Sequence, residues 1–192
     1  MVLLPKKVAE ILKYFKGIEI ARRYFIINSF DATIVALSIF LIAFLSGNFP
    51  KEVVIKSVLA ASIGAALSGF FGAYSSEVSE RTAEIKKLEK ALGRSLKKSI
   101  FEKYKKIFSL FVATVDSLPP VMLALICLLP LLIIKNYNLG LKISITISFL
   151  SITFLGYLLG RIAEENVITS SLRFLGIGIV LTIVLIFIDY LL

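Results

Sequence analysis

The chain has 192 residues, of which 58% are hydrophobic, and it carries a formal net charge of +9. A soluble domain of this length could not bury so much apolar surface, so the composition is typical of a protein embedded in a bilayer. Because histidine is absent and Cys127 is the only cysteine, an intrachain disulfide and a metal cage of Cys or His ligands are excluded.

An amphipathic segment at 5–23 comes first in the chain. It has no short apolar core followed by a small-residue cleavage site, so we expect no removable signal peptide. The pattern predicts a helix lying in the headgroup plane, and a simple extension of the first membrane span is the alternative. The apolar residues at helical spacing, with lysines among the other positions, are Val8, Ile11, Leu12, Phe15 and Ile18.

Five apolar stretches follow, each near the roughly 20 residues that cross a hydrocarbon core. Gly, Asn and Pro turn signals come after the first and the third. The sequence therefore predicts an all-α fold, a single transmembrane domain over 1–192. Its predicted spans are 24–45, 53–76, 107–134, 141–160 and 170–192.

Spans two and three are separated by a polar segment at 77–106. Its helical periodicity breaks at Gly93, which predicts a short antiparallel helical hairpin. Ten basic residues lie between Arg81 and Lys106, and six more precede the first span. Because basic residues collect in cytoplasmic loops, we expect a cytoplasmic N-terminus, an outer C-terminus and residence in the plasma membrane. The basic excess is thus interpreted as topology and contact with the lipid bilayer, not as nucleic-acid binding.

Small residues mark the second span at every fourth position. Side chains of this size let neighbouring helices approach closely, which predicts a central packing role for this span. One of these series is Gly64, Ser68, Gly72 and Ser76.

Asp31 is the ionisable residue that lies deepest in a predicted span. Tyr24 through Phe30 carry no charge, and fourteen uncharged residues follow the aspartate. Because a charge at this depth is costly, Asp31 is a candidate ion-binding residue, with a packing or capping carboxylate as the alternative.

Four further carboxylates are candidates. Glu77, Glu80 and Glu84 share one helical stripe at the cytoplasmic end of span two, where they could attract a metal. The alternative is a solvated helix on which Arg81 and other basic side chains supply the counter-charges. Asp116 precedes the Pro119–Pro120 pair in span three, where irregular backbone is tolerated only against protein or water. Carboxylates without Cys or His favour divalent cations held by oxygen ligands, and they can exchange the metal for protons.

Several motifs together resemble the vacuolar iron transporter family. Arg23 and Asp31 keep the spacing between the arginine and the aspartate of that family's Asn-Asp-Gly motif, with Phe30 and Ala32 in place of the Asn and Gly. The stretches GAALSGFFGAYSSEVSE and FLGYLLGRIAEENVITSSLRFLGIGIV carry further matches. The matching residues there are Gly72, Tyr74, Ser79, Glu80, Gly156, Tyr157, Gly160, Arg161, Leu172 and Arg173.

The resemblance implies a homodimer that moves Fe²⁺ or Mn²⁺ out of the cytoplasm in exchange for protons. It would place Asp31 on a path between the two protomers. Gly69 stands where the family has a second-span methionine, and the hairpin stands where larger members carry a metal-binding domain. The resemblance implies no catalytic residue and no cofactor beyond the transported metal.

Two other classes of function compete with transport. In the first, the chain is a membrane scaffold whose basic hairpin binds lipid or a partner. A membrane enzyme finds little support, because the sequence has no His, no Gly-x-Ser-x-Gly elbow and no Gly-Lys-Ser/Thr phosphate loop.

Overall fold

The computed structural model describes residues 17–47, 49–96 and 100–191, and within these ranges every regular element is a helix. All five helices are long and apolar enough to cross a membrane, which confirms the all-helical, five-span prediction at that level. In chain order they are α1 (Gly17–Ser46), α2 (Lys51–Leu92), α3 (Ile100–Ile133), α4 (Tyr137–Ile162) and α5 (Val167–Leu191).

All five helices begin before the predicted spans, and α1 and α2 show what the extra residues belong to. Helix α1 is continuous from Gly17, so residues 17–23 of the predicted interfacial segment belong to the same helix as the first span. The rest of that segment, 5–16, lies outside the described residues. Helix α2 has 42 residues, a length of about 63 Å, and a hydrocarbon core is only about 30 Å thick. Its C-terminal part therefore continues through residues 77–92, where the sequence predicted the first arm of a hairpin.

The helix ends are set by local chemistry. Helix α2 stops at Leu92 because Gly93 follows with φ +64°, a left-handed conformation that glycine adopts without strain. Before α4, Asn136 accepts a hydrogen bond through its side chain from the N–H of Leu139. Before α5, the side chain of Asn166 accepts one from the N–H of Ile168. These two asparagine caps fix where α4 and α5 begin.

The described residues of the first of two compact units are 17–25, 66–96 and 100–118. Its core contains Phe108 and Val112 of α3, both fully buried. The side chains that pack against these two residues come from the start of α1 and from α3 itself, namely Ile20, Tyr24, Tyr104 and Phe111. Aromatic packing thus joins these helix segments within the unit.

The second compact unit comprises 26–65 and 119–192. Its largest cluster draws buried residues such as Phe40 of α1 and Leu128 of α3 into one core. Helices α4 and α5 meet at a glycine: a Cβ at Gly156 would lie 2.9 Å from both the carbonyl oxygen of Ser170 and the Cα of Ser171. The two helices therefore touch backbone to backbone, as small residues permit in membrane bundles.

Helix α3 is regular in spite of three internal prolines, at 119, 120 and 130. Because proline has no N–H, neither Pro119 nor Pro120 can donate the hydrogen bond that a helical residue makes to the preceding turn. The helix continues past this point, so the proline pair interrupts the hydrogen-bond ladder without ending the element.

Candidate functional site

Asp31 lies near the midpoint of α1, on the surface of the second unit. Its side chain is exposed, and the residues one turn before and after it, Ile27 and Val35, are 50% and 45% exposed. Among the described residues, nothing forms an ion pair or a hydrogen bond with the carboxylate of Asp31. The structure thus presents a carboxylate within an apolar helix surface.

This exposure is costly if the surface of α1 faces lipid. Insertion measurements assign about 3 kcal/mol to an aspartate at the centre of a membrane helix. The flanking exposed isoleucine and valine suit hydrocarbon, whereas the carboxylate does not. A polar neighbour, such as a second protein copy, a water-filled path or a bound cation, would remove that cost.

Glu77, Glu80 and Glu84 come together in the first unit, around the side chain of Arg81. The Arg81 Nε atom lies 3.5 Å from the Glu77 Oε2 atom, and its Nη2 atom lies 3.5 Å from the Glu80 Oε1 atom. The Arg81 Nη1 atom is hydrogen-bonded to the Glu84 Oε2 atom at 2.5 Å. The guanidinium of Arg81 therefore forms ion pairs with three carboxylates. Together these four side chains carry a net negative charge.

The pair formed by Glu77 and Arg81 is buried. Their side chains are only 2% and 7% exposed, whereas those of Glu80 and Glu84 are 61% and 45% exposed. The guanidinium also lies 5.4 Å from the centre of the Phe108 ring, a cation–π contact that ties α2 to α3 within the unit. Glu77 thus serves the internal ion pair, and Glu80 and Glu84 are the two members that solvent can reach.

Asp116 is buried at 4% exposure in the first unit, against Gly69 of α2. A Cβ built at Gly69 would lie 2.6 Å from the Asp116 Oδ2 atom and 3.7 Å from the Asp116 carbonyl oxygen. The carboxylate therefore occupies the space that any larger residue at 69 would need. It also lies within electrostatic range of Tyr24 of α1.

The five candidate residues do not form one cage. The three glutamates lie around Arg81, and the Asp116 carboxylate lies against Gly69, both in the first unit. Asp31 belongs to the second unit. No group of three or more acidic, Cys or His residues among the described positions is arranged to hold a metal ion. A divalent ion bound by these carboxylates would need further oxygen ligands, from water or from another copy of the chain.

Two features of this arrangement escaped the sequence reasoning. In the alternative to a metal-attracting role, Arg81 was one counter-charge on a solvated helix, yet its side chain is buried among the three glutamates. Its spacing of four residues from Glu77 and three from Glu84 is the signal, since such pairs meet on one helical face. The contact between Gly69 and Asp116 has no such signal, because it depends on how α2 and α3 are aligned.

Comparison with known proteins gives a distant relative. No family model matches the sequence. The chain is similar to an uncharacterized protein of Methanocaldococcus jannaschii, with 27% identity over 178 residues, which is 90% of each of the two chains. The likeness thus extends along nearly the whole chain.

Proposed function

We propose that this chain is a divalent-cation transporter that moves Fe²⁺ or Mn²⁺ out of the cytoplasm in exchange for protons. It would act as a homodimer in the plasma membrane, with its N-terminus in the cytoplasm. The observation that carries the proposal is Asp31, an exposed carboxylate without a described partner at the middle of an apolar helix. An ionisable residue at membrane depth is costly, and such residues typically mark an ion path or a contact with another polar group.

A second copy of the chain would explain the exposed surface around Asp31. If the faces of α1 from two protomers approach each other, the two carboxylates leave lipid and line one path. Together they carry a charge of −2, which balances one divalent cation. Mn²⁺ is well suited to carboxylate and water ligands, so the remaining ligands need not come from protein.

Exchange for protons follows from the same chemistry. A carboxylate in apolar surroundings binds a proton more readily than one in water, and an approaching cation displaces that proton. The metal and the proton would therefore compete for Asp31 and alternate on it. The absence of histidine from the sequence leaves carboxylates as the groups that can couple the two ions.

Glu80 and Glu84 would form the entry point from the cytoplasm. Both are partly exposed, and both are held by Arg81. An arriving divalent cation would compete with the guanidinium for these two side chains, while Glu77 stays paired inside the unit. Collection at this point would therefore be weak and reversible, as an entry site for a transported ion requires.

Sequence motifs support this proposal independently of the geometry. The resemblance to vacuolar iron transporters includes the spacing of Arg23 and Asp31, and it assigns the aspartate to the translocation path. Gly69 in place of the family's methionine removes a soft sulfur ligand, so an oxygen-only path is expected. Such a path favours Mn²⁺ over metals that prefer sulfur.

Transport by purified protein in liposomes tests the proposal. Vesicles that enclose a Mn²⁺-quenched dye should report uptake with wild-type protein, accompanied by proton movement in the opposite direction. Asp31→Asn keeps the shape but removes the charge, so it should abolish uptake. Asp189→Asn is the control, since Asp189 is exposed near the end of α5 and has no assigned role. Uptake by Asp31→Asn at the wild-type rate would refute the proposal and favour a membrane scaffold.

A further inference from the structure

An open cleft at the tip of the hairpin carries an excess of positive charge. Among the described residues, its lining contains three basic side chains, Lys86, Lys90 and Arg94, together with Glu89, Gly93 and Ser95. Its volume is about 380 Å³, and it is widely open to solvent. The described lining thus has three positive charges against one negative charge.

Glu89 stabilises the loop that lines one side of the cleft. The Glu89 Oε1 atom accepts hydrogen bonds from the backbone N–H of Leu96 at 2.7 Å and from the hydroxyl of Ser95 at 3.1 Å. These bonds fold the loop after Gly93 back against the last turns of α2. One oxygen of the glutamate is therefore engaged within the protein, while the three basic side chains line the opening.

The three basic side chains line the same cleft. Lys86 and Lys90 are four residues apart on α2, so they lie on the same helical face. Arg94 follows the left-handed turn at Gly93 and lines the same cleft. Two ammonium groups and one guanidinium around a small cleft suit a multiply charged anion with several acceptor oxygens, which is the description of a phosphate group.

The length of α2 decides between a lipid headgroup and a soluble phosphate. If the apolar segment 53–76 lies in hydrocarbon, Lys86 and Lys90 lie ten and fourteen residues further on, about 15 and 21 Å along the helix. The headgroup layer adds only about 5–7 Å on each side of the hydrocarbon core. Even at an average tilt of about 20°, this part of α2 lies beyond the headgroup layer of the same membrane.

We propose that this cleft binds the phosphate group of a water-soluble cytoplasmic ligand through Lys86, Lys90 and Arg94. The site lies on the cytoplasmic hairpin and does not involve Asp31, so it does not depend on metal transport. The occupancy of the cleft would then follow the cytoplasmic concentration of a phosphorylated metabolite or nucleotide.

Calorimetric titration of the full-length protein with inorganic pyrophosphate tests this proposal. The protein is placed in phosphatidylcholine nanodiscs, and the ionic strength is held constant at about 0.15 M, where surface charges more than about 8 Å apart are largely screened. We expect saturable binding. Lys90→Gln should weaken it by about tenfold, because one charge-assisted contact is lost.

Lys87→Gln is the matched control. Lys87 is exposed on the same helix and carries the same charge, but it does not line the cleft. We expect its affinity for pyrophosphate to stay within twofold of the wild-type value. Absence of saturable binding, or an equal loss in both variants, would overturn the proposal. Loss of pyrophosphate binding when phosphatidylglycerol is added to the nanodiscs would overturn it too, because lipid headgroups would then occupy the cleft.

Discussion

The contact between Gly69 and Asp116 gives a quantitative test of how α2 and α3 pack in the first unit. Gly69→Ala adds a methyl group 2.6 Å from the Asp116 Oδ2 atom, well inside van der Waals contact. The Asp116 carboxylate must then rotate, and because it is only 4% exposed and already interacts with described groups, rotation disturbs those contacts. We therefore expect Gly69→Ala to displace the carboxylate and to lower the stability of the protein.

The magnitude follows from two opposing effects. Overpacking a filled site costs about 1–3 kcal/mol, while replacing a helical glycine by alanine stabilises the helix by about 0.5–1 kcal/mol. Gly72→Ala is the matched control, since it lies three residues further along α2 and no atom lies within 4 Å of its Cβ position. The helix gain is common to both variants, so their difference in unfolding free energy should equal the overpacking cost.

The assay is unfolding in mixed micelles with increasing dodecyl sulfate, followed by helical circular dichroism. Gly69→Ala should unfold about 1–3 kcal/mol more easily than Gly72→Ala. In an Asp116→Ala background that penalty should disappear, because the atom that clashes is gone and the two changes are coupled. Equal stability of the two alanine variants, or the same penalty in the Asp116→Ala background, would refute the contact.

Three further predictions concern packing and ion pairing, and the same unfolding assay measures each. Gly156→Ala should destabilise the α4–α5 contact by about 1–3 kcal/mol, because its methyl group would meet backbone atoms, whereas Gly176→Ala should not. Arg81→Gln should cost about 3–5 kcal/mol, because it leaves the buried Glu77 carboxylate without its partner, and adding Glu77→Gln should restore most of that loss. Asn136→Ala should cost about 1 kcal/mol through loss of the cap of α4. The ion-pair assignment would be contradicted if the Arg81→Gln/Glu77→Gln double variant were no more stable than Arg81→Gln. The packing and cap assignments would be contradicted if Gly156→Ala and Asn136→Ala had the unfolding free energy of the wild type.

The number and type of helices could be predicted from the sequence because each apolar run is long enough to cross a bilayer by itself. The end of α2 could also be predicted, since the periodicity breaks where Gly93 adopts φ +64°. The full length of α1 could not, because residues 17–23 fit an interfacial helix and a continuous helix equally well. The spacing of apolar residues is the same for a separate interfacial helix and for an extension of the first span.

The surroundings of the carboxylates could be predicted only in part from the sequence. The position of Glu77 on a stripe with Glu80 and Glu84 was predictable, but its burial with Arg81 against Phe108 requires the alignment of α2 with α3. The exposure of Asp31 likewise depends on which face of α1 the core covers. Sequence spacing fixes which residues share a face, and tertiary packing decides which face is buried.

Binding of a divalent cation at Asp31 is the central claim, and anomalous diffraction from crystals soaked in Mn²⁺ tests it most directly. The account predicts an anomalous peak within coordination distance of the Asp31 carboxylate that is absent from crystals of Asp31→Asn. A weaker peak beside Glu80 and Glu84 is compatible with their role at the entry. Well-occupied Mn²⁺ elsewhere in the same crystal, with no peak at Asp31, would contradict the account.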